Sequence, residues 1–273
     1  MPHFAHRTFS LHYEKYGAGE QAILCFHGFG RTVSDFQVFE PLLGKHQHII
    51  SIHLFAHGES IFPDERIDNQ PLLPEEWCEL MEAFCEAQNI AQFHLIGYSM
   101  GGRVAMKTLE LMPHRVQSLL LIAPDGFKIN VLYRFASSTR IGKRMYRALI
   151  ENPKPLFVVA KWLNRLRLLS DKLHRFVHVH LDTRAKRQQV HDAWLIYKLT
   201  FPHLPQLAET INERQLPFNM LFGQFDSVIT PALGYKFCGI LGRNDVLHLL
   251  PAGHRLLTPE TVDYIKLNGL WPD

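Results

Sequence analysis

The sequence has few cysteines, no long apolar run and little excess of either charge. Only four of its 273 residues are cysteine, and no two form a C-x-x-C pair, which excludes a disulfide-dense scaffold. The apolar stretches fall short of the roughly 18 uninterrupted residues that a spanning helix needs, and the N-terminus lacks the pattern of a secretory signal. A formal charge of +3 is too balanced for a dedicated nucleic-acid binder. We therefore expect a soluble, cytoplasmic protein with buried free thiols and no nucleic-acid partner.

The composition is that of a globular chain large enough to bury a sizeable core. Hydrophobic residues make up 47% of the sequence, whereas 17 glycines and 16 prolines are too few for a collagen-like or low-complexity chain. The length suits one large domain, or one domain that carries an insertion.

Short, nearly continuous apolar runs alternate with segments of helical spacing over most of the chain. Such runs are typical of parallel strands that helices cover on both faces. A partly alternating segment at 4–16 predicts an N-terminal hairpin before them. The order predicts an α/β fold, a doubly wound and mostly parallel sheet. The predicted strands are 22–26, 48–55, 92–97, 116–123, 217–223 and 245–251.

The segment 127–205 interrupts this alternation, because it contains helical patterns and no convincing strand. We predict an all-helical cap, or lid, at 127–205 inserted into a core formed by 1–126 and 206–273. By topology such an insertion lies over the carboxyl ends of the strands, where open α/β folds bind ligands. One helix of the cap has an apolar face marked by Ile141, Met145, Ala148 and Leu149, with Arg140, Lys143, Arg144 and Arg147 on the other.

The segment Gly97-Tyr98-Ser99-Met100-Gly101-Gly102 carries the most specific chemical signal. A serine between glycines at this spacing, after a strand and before a helix, indicates a nucleophile elbow, a tight turn that leaves the serine exposed. The loop His27-Gly28-Phe29-Gly30 directly follows a predicted strand. We expect the amides of Phe29 and Met100 to form an oxyanion hole, and Tyr98 and Phe29 to contact the substrate.

A base and an acid follow this serine in the chain. Asp226 comes after the predicted strand 217–223, and His254 comes after the predicted strand 245–251. In a Ser-acid-His order, His254 accepts the proton of Ser99, and Asp226 holds the imidazole. Asp125 is a rival acid, but it precedes a glycine at the entry to the insertion, where a turn or cap residue is equally expected.

These motifs resemble the α/β-hydrolase superfamily, in the branch with a helical cap. HGFG, GYSMGG, GQFD followed by Pro231, and AGH occur in the family order and span essentially the whole chain. The segment Ala56-His57-Gly58-Glu59-Ser60 is similar to the family's G-H-G-x-S turn, with Ala56 in place of the first glycine and His53 where aspartate is usual. We interpret His57 as a supporting histidine rather than a catalytic one.

The resemblance implies a serine hydrolase that uses a Ser-His-Asp triad and needs no cofactor. The apolar cap favours a small-molecule ester or acyl substrate with an apolar or aromatic group. Related members of the superfamily act on carbon–carbon bonds or thioesters, transfer acyl groups, or bind ligands without turnover, and these alternatives stay open.

Histidines and basic residues in the cap suggest two further roles. His178, His180 and Asp182 have an H-x-H-x-D spacing, but residues two apart on a helix do not face each other, so we expect no metal.

Residues 128–198 hold 16 basic and four acidic residues, a net +12, whereas the rest of the chain has a net −9. A solvated polar face explains this charge; the alternatives are peripheral contact with an anionic membrane, guidance of an anionic or acyl substrate, and attraction between the basic cap and the acidic core. Lys154, Lys161, Arg165 and Lys172 form a basic stripe there.

Overall fold

The computed structural model describes residues 2–154, 158 and 181–271. Within these residues the strands are β1 (His3–His6), β2 (Phe9–Gly17), β3 (Gln21–Phe26), β4 (Gln47–Ile52), β5 (Phe93–Tyr98), β6 (Val116–Ile122), β7 (Phe218–Gly223) and β8 (Leu247–Leu250). They form one sheet in the order β1-β2-β4-β3-β5-β6-β7-β8. The first two form the predicted N-terminal hairpin, β2 pairs antiparallel with β4, and the remaining neighbours are parallel. The predicted α/β class is thereby confirmed.

Eight α-helices lie within the described residues, together with two 3-10 helices at Val33–Leu42 and Asp64–Arg66. None of them is long and apolar enough to cross a bilayer. The α-helices are α1 (Pro74–Ala87), α2 (Met100–Leu111), α3 (Val131–Ser138), α4 (Arg140–Glu151), α5 (Arg184–Ile196), α6 (Leu204–Glu213), α7 (Pro231–Leu241) and α8 (Pro259–Leu267).

The chain forms two compact units. The first comprises Met1–Pro63, Leu72–Lys128 and Thr200–Asp273, and the second comprises Asp64–Pro71 and Ile129–Leu199. The first contains the whole sheet, whose parallel strands are buried along most of their length. All four cysteines are free thiols, and burial raises the pKa of Cys85 to about 12.

The second unit contains α3, α4 and α5, and in its described part it has no strand. Tyr146 of α4 packs against Trp194 of α5 with ring centroids 5.7 Å apart, and the hydroxyl of Tyr133 on α3 donates to the Trp194 carbonyl at 3.0 Å. A Cβ on Gly142 would lie 2.1 Å from the carbonyl oxygen of Phe135, so glycine permits the close contact between α3 and α4.

The sequence pattern pointed to the wrong face of α4. Ile141 and Met145, which mark the predicted apolar face, are 68% and 55% exposed. The buried residues are Gly142, Tyr146 and Ile150. Apolar periodicity identifies a helix, but the burial of α4 is decided by the close approach at Gly142 and by the aromatic contact of Tyr146 with α5. The apolar segment 155–177 except Val158, most of the basic stripe, and His178 and His180 lie outside the described residues.

Candidate active site

Ser99 lies between the end of β5 and the start of α2, in a strained backbone conformation. Its φ of 53° is in the left-handed region, where residues other than glycine are uncommon. The turn is held by its carbonyl, which accepts hydrogen bonds from the Gly102 and Asp125 amides at 2.9 and 2.8 Å. Because the chain reverses so sharply, the Ser99 side chain remains partly exposed at the carboxyl end of the sheet.

The glycines around Ser99 are required by close contacts. A Cβ on Gly101 would lie 1.9 Å from the carbonyl oxygen of Phe26, and one on Gly97 would lie 2.6 Å from the Cα of Gly102. A Cβ at either position would force the backbone apart. The G-x-S-x-G-G pattern is therefore a packing requirement of this turn.

Ser99, His254 and Asp226 form a hydrogen-bonded chain. The Ser99 hydroxyl lies 3.0 Å from His254 Nε2, and His254 Nδ1 lies 2.7 Å from Asp226 Oδ2. Since a carboxylate only accepts, Nδ1 carries the imidazole proton and Nε2 presents its lone pair to the hydroxyl. This is the tautomer that a proton acceptor for Ser99 requires.

The Asp226 side chain is fully buried and accepts three hydrogen bonds. Its Oδ1 accepts from the amides of Val228 and Ile229 at 2.7 and 2.9 Å, and its Oδ2 faces His254. These donors hold the carboxylate in one orientation and compensate for its burial. The two amides could not be identified from the sequence, because only the turn after β7 brings them to the carboxylate.

Asp125, the rival acid, faces another partner. Its carboxylate lies 3.6 Å from the Arg103 guanidinium and also accepts from the Gly126 amide. The structure brings Asp226 to His254, whereas Asp125 supports the Ser99 turn through its backbone amide.

Tyr98 contacts the loop that carries His254. Its side chain is 3% exposed, its hydroxyl donates to the His254 carbonyl at 3.0 Å, and its ring lies 5.5 Å from the imidazole between centroids. Burial raises the pKa of Tyr98 to about 12, so the hydroxyl remains a donor. These contacts show that Tyr98 fixes the position of His254; a contact between Tyr98 and substrate stays a prediction.

The loop after β3 lies directly against Ser99. A Cβ on Gly28 would be 3.1 Å from the Cβ of Ser99 and 3.0 Å from the Tyr98 ring, so a larger residue would require these neighbours to shift by a few tenths of an ångström. Phe29, the next residue, packs its partly buried ring on His57 at 5.2 Å between centroids. Met100 begins α2, and the first N–H groups of a helix have no acceptor within the helix. The roles of Phe29 and Met100 as oxyanion donors stay predictions.

Sequence reasoning treated the histidines near this loop singly and missed their clustering. Rings of His12, His27, His53 and His57 are neighbours in the structure. The sequence did contain a signal of this cluster, since His53 stands where the similar family turn usually has aspartate. Within the described residues, no group of three or more His, Cys, Asp or Glu side chains has the geometry to hold a metal ion.

Comparisons with known proteins identify the family of this chain. The family model for the alpha/beta hydrolase fold matches residues 21–258. A lipase from Psychrobacter immobilis is 26% identical over 87% of this chain and 72% of its own. A dihydrolipoyllysine-residue acetyltransferase component of an acetoin cleaving system from Pseudomonas putida is 35% identical over 42% of this chain, and the match spans only 30% of that relative's length.

A solved structure has the same fold along almost the whole chain. The thermophilic esterase from Thermogutta terrifontis superimposes with a TM-score of 0.65 at 19% identity, covering 96% of this chain and 94% of its own. Because the family model covers most of the chain, this protein belongs to the α/β hydrolase fold family.

Proposed function

We propose that this protein is a serine hydrolase that cleaves a carboxylic ester, or a related acyl bond, through an acyl-enzyme on Ser99. The observation that carries the proposal is the chain from Ser99 through His254 to Asp226, with 3.0 and 2.7 Å between the bonded atoms. Family membership supports a hydrolase, and the relatives named for lipase and esterase activity support an ester as the substrate.

The two half-reactions follow from this geometry. The Ser99 oxygen bonds to the acyl carbon while His254 Nε2 takes the hydroxyl proton, and the carbonyl electrons move to the oxygen. The amides of Phe29 and Met100 stabilise that oxyanion. When the tetrahedral species collapses, His254 returns the proton to the departing alcohol. A water molecule then attacks the acyl-enzyme by the same steps and releases the acid. Asp226 stabilises the imidazolium in both halves.

A fluorophosphonate probe, which reacts with activated serines, tests the nucleophile. We expect labelling of the wild type and of Ser34→Ala, an exposed serine outside the site, and no labelling of Ser99→Ala. Folded wild-type protein that does not react would overturn the proposal.

A series of p-nitrophenyl esters of increasing chain length tests the substrate class. We expect activity to rise with acyl length up to the size of the pocket, as an apolar acyl site requires. Transfer to added alcohols in preference to water would indicate an acyltransferase. Turnover of thioesters or of dienoic ketones alone would replace the ester assignment with the corresponding member of the superfamily.

A further inference from the structure

Four buried histidines form a continuous row beside the loop 27–33 that follows β3. All are between 0% and 6% exposed. Successive ring centroids along the row lie 4.8, 5.4 and 5.0 Å apart. The row consists of His12 on β2, His53 after β4, His27 after β3, and His57 in the turn that follows His53.

His27 and His57 link the loops after β3 and β4 to each other in both directions. His27 Nε2 accepts the Leu54 amide at 3.1 Å, and His57 Nε2 accepts the Gly30 amide at 2.9 Å. The Nδ1 atom of each ring lies within 2.7 or 3.1 Å of a backbone carbonyl. Each imidazole must therefore carry its single proton on Nδ1 and keep a lone pair on Nε2.

His53 and His12 continue the network to the start of the 3-10 helix at Val33–Leu42. His53 Nε2 accepts the Val33 amide at 3.2 Å, so its proton also lies on Nδ1. That Nδ1 is 2.7 Å from Nδ1 of His12, which must accept and must carry its own proton on Nε2. Backbone groups therefore set the tautomers of His27, His53 and His57, and His53 in turn sets that of His12.

The network has no place for an additional proton. A proton on Nε2 of His27, His53 or His57 would point at a backbone N–H, and one on Nδ1 of His12 would point at the N–H of His53. An imidazolium can form only if at least one of these hydrogen bonds breaks. The arrangement therefore holds the loop only in its neutral form.

Burial opposes protonation more strongly than the surrounding charges favour it. It lowers the pKa of all four histidines, that of His57 to about 4. Glu14 and Glu59 act in the opposite direction on His12 and His53, while His3 and Arg31 add to the lowering, His3 on His12 and Arg31 on His27.

The loop that these histidines hold is the one that faces Ser99. The amides of Gly30 and Val33 are bonded to His57 and His53, and Gly28 packs closely against Ser99, where an added Cβ would lie 3.1 Å from the Ser99 Cβ. A shift of about 1 Å in this loop would move the Phe29 backbone relative to the acyl oxygen, and misplacement of this size costs on the order of 100-fold in rate.

We propose that His12, His27, His53 and His57 are positioning residues for the loop 27–33, which carries the Phe29 amide. They hold this loop in its productive position only while all four imidazoles are neutral. The catalytic part of this inference rests on the proposed serine hydrolase function. The protonation part does not, and it is tested separately.

Nitrogen-15 NMR of the wild-type protein with labelled histidine tests the network without reference to activity. At pH 7 we expect the Nδ1–H tautomer for His27, His53 and His57, and the Nε2–H tautomer for His12. On acidification the amide signals of Gly30, Val33 and Leu54 should move together. An Nε2–H tautomer at any of the first three, or amide signals that stay in place while these histidines gain protons, would overturn the proposal.

Substitutions at His57 test the effect on catalysis. The side-chain oxygen of glutamine can replace Nε2 as an acceptor, whereas leucine cannot. We expect His57→Leu to lower kcat about 10- to 100-fold and to leave KM nearly unchanged. This loss is smaller than the roughly 10²- to 10³-fold loss in kcat that follows complete removal of one oxyanion donor. We expect His57→Gln to restore most of the lost kcat. The matched control is His94→Leu, which removes a buried histidine bonded to Gln21 and Ser118 at the other end of β5.

Equal kcat for His57→Leu and His94→Leu would overturn the positioning role, as would a His57→Gln variant as impaired as His57→Leu. If His57→Leu does not fold, His53→Leu and His53→Gln provide the same comparison. If the wild type hydrolyses no ester, the proposed function fails, and the NMR experiment still decides the network.

Discussion

Helices α2 and α4 have the same length and opposite exposure. Each has 12 residues, but α2 buries ten of them, whereas α4 buries only Gly142, Tyr146 and Ile150. The first follows Ser99 at its amino end and is packed on nearly all sides. The second presents Ile141, Met145 and several arginines to solvent. The comparison teaches that an apolar pattern reveals a helix, whereas the packing partners decide how much of it is buried.

Backbone strain also differs between the two compact units. Among the described residues, every non-glycine residue with positive φ lies in the first compact unit. Three of these, Ala56, Ser99 and Ala123, follow the carboxyl ends of β4, β5 and β6. Strain of this kind persists only where the surroundings impose it, and a densely packed sheet edge can do so.

The largest expected effect distinguishes the two candidate acids of the first unit. Asp226→Asn should lower kcat about 10⁴-fold, because an amide stabilises the wrong histidine tautomer. Asp125→Asn is the matched control, since Asp125 faces Arg103, and its kcat should fall less than about tenfold. Steady-state kinetics on a p-nitrophenyl ester measures both. A larger loss for Asp125→Asn would transfer the role of the acid to that residue.

The same substitution on the two helices tests their difference in burial directly. Met106 of α2 is fully buried, so Met106→Ala should reduce the free energy of unfolding by about 2–5 kcal/mol. Met145 of α4 is 55% exposed, and Met145→Ala should change it by less than about 0.5 kcal/mol. Urea unfolding measures both changes. A comparable loss for the two variants would mean that the outer face of α4 is covered in solution.

Acid should destabilise the first unit through its histidine network. Burial lowers the pKa of His57 from 6.5 to about 4, so between these values the unfolded chain binds more protons than the folded one. The free energy of unfolding therefore falls as pH drops through this window, by about 1.4 kcal/mol per pH unit for each such histidine. Above pH 6.5 the protonation of these histidines does not change the free energy of unfolding. Denaturant unfolding at a series of pH values should show a shallower slope for His57→Gln. An identical slope would contradict the assignment.

The alternative to a solvated polar face is the proposal that the cap contacts an anionic membrane through the exposed face of α4. This membrane proposal predicts that the protein binds anionic vesicles better than neutral ones, and that Arg140→Glu with Arg144→Glu weakens that binding by about 1 kcal/mol for each cation removed, or more. The control reverses two exposed lysines of the first unit, Lys236 and Lys266. Cosedimentation with vesicles measures the affinities. If the wild type binds both kinds of vesicle equally, the membrane proposal is wrong.

The smallest expected effect concerns strain at Ala56. Its φ of 64° costs an L-residue about 1–2 kcal/mol, and glycine avoids this cost. Ala56→Gly should therefore raise the free energy of unfolding by about 1 kcal/mol, after the loss of the methyl contacts and the greater entropy of the unfolded chain are included. Thermal unfolding measures the change. A lower Tm would show that the methyl group contributes more than the strain removes.

The sequence by itself determined the class of the fold and the local chemistry of the turns. The alternation of apolar runs with helical segments predicted the sheet, because burial on both faces demands continuous apolar strands. The elbow at Ser99 could be recognised from its G-x-S-x-G-G spacing between a strand and a helix, whereas the contact of Gly101 with the Phe26 carbonyl is visible only in the folded chain. The order of Ser99, Asp226 and His254 along the chain is likewise a property of the sequence alone.

Tertiary structure decided everything that depends on residues distant in the chain. Asp125 and Asp226 both follow strands, and only the loops at the sheet edge determine which one reaches His254. The buried face of α4 was set by Gly142 and Tyr146, since close approach and aromatic packing outweigh the periodicity of Ile141 and Met145. The four histidines are scattered from His12 to His57, and their tautomers depend on backbone amides that meet them only in the folded chain.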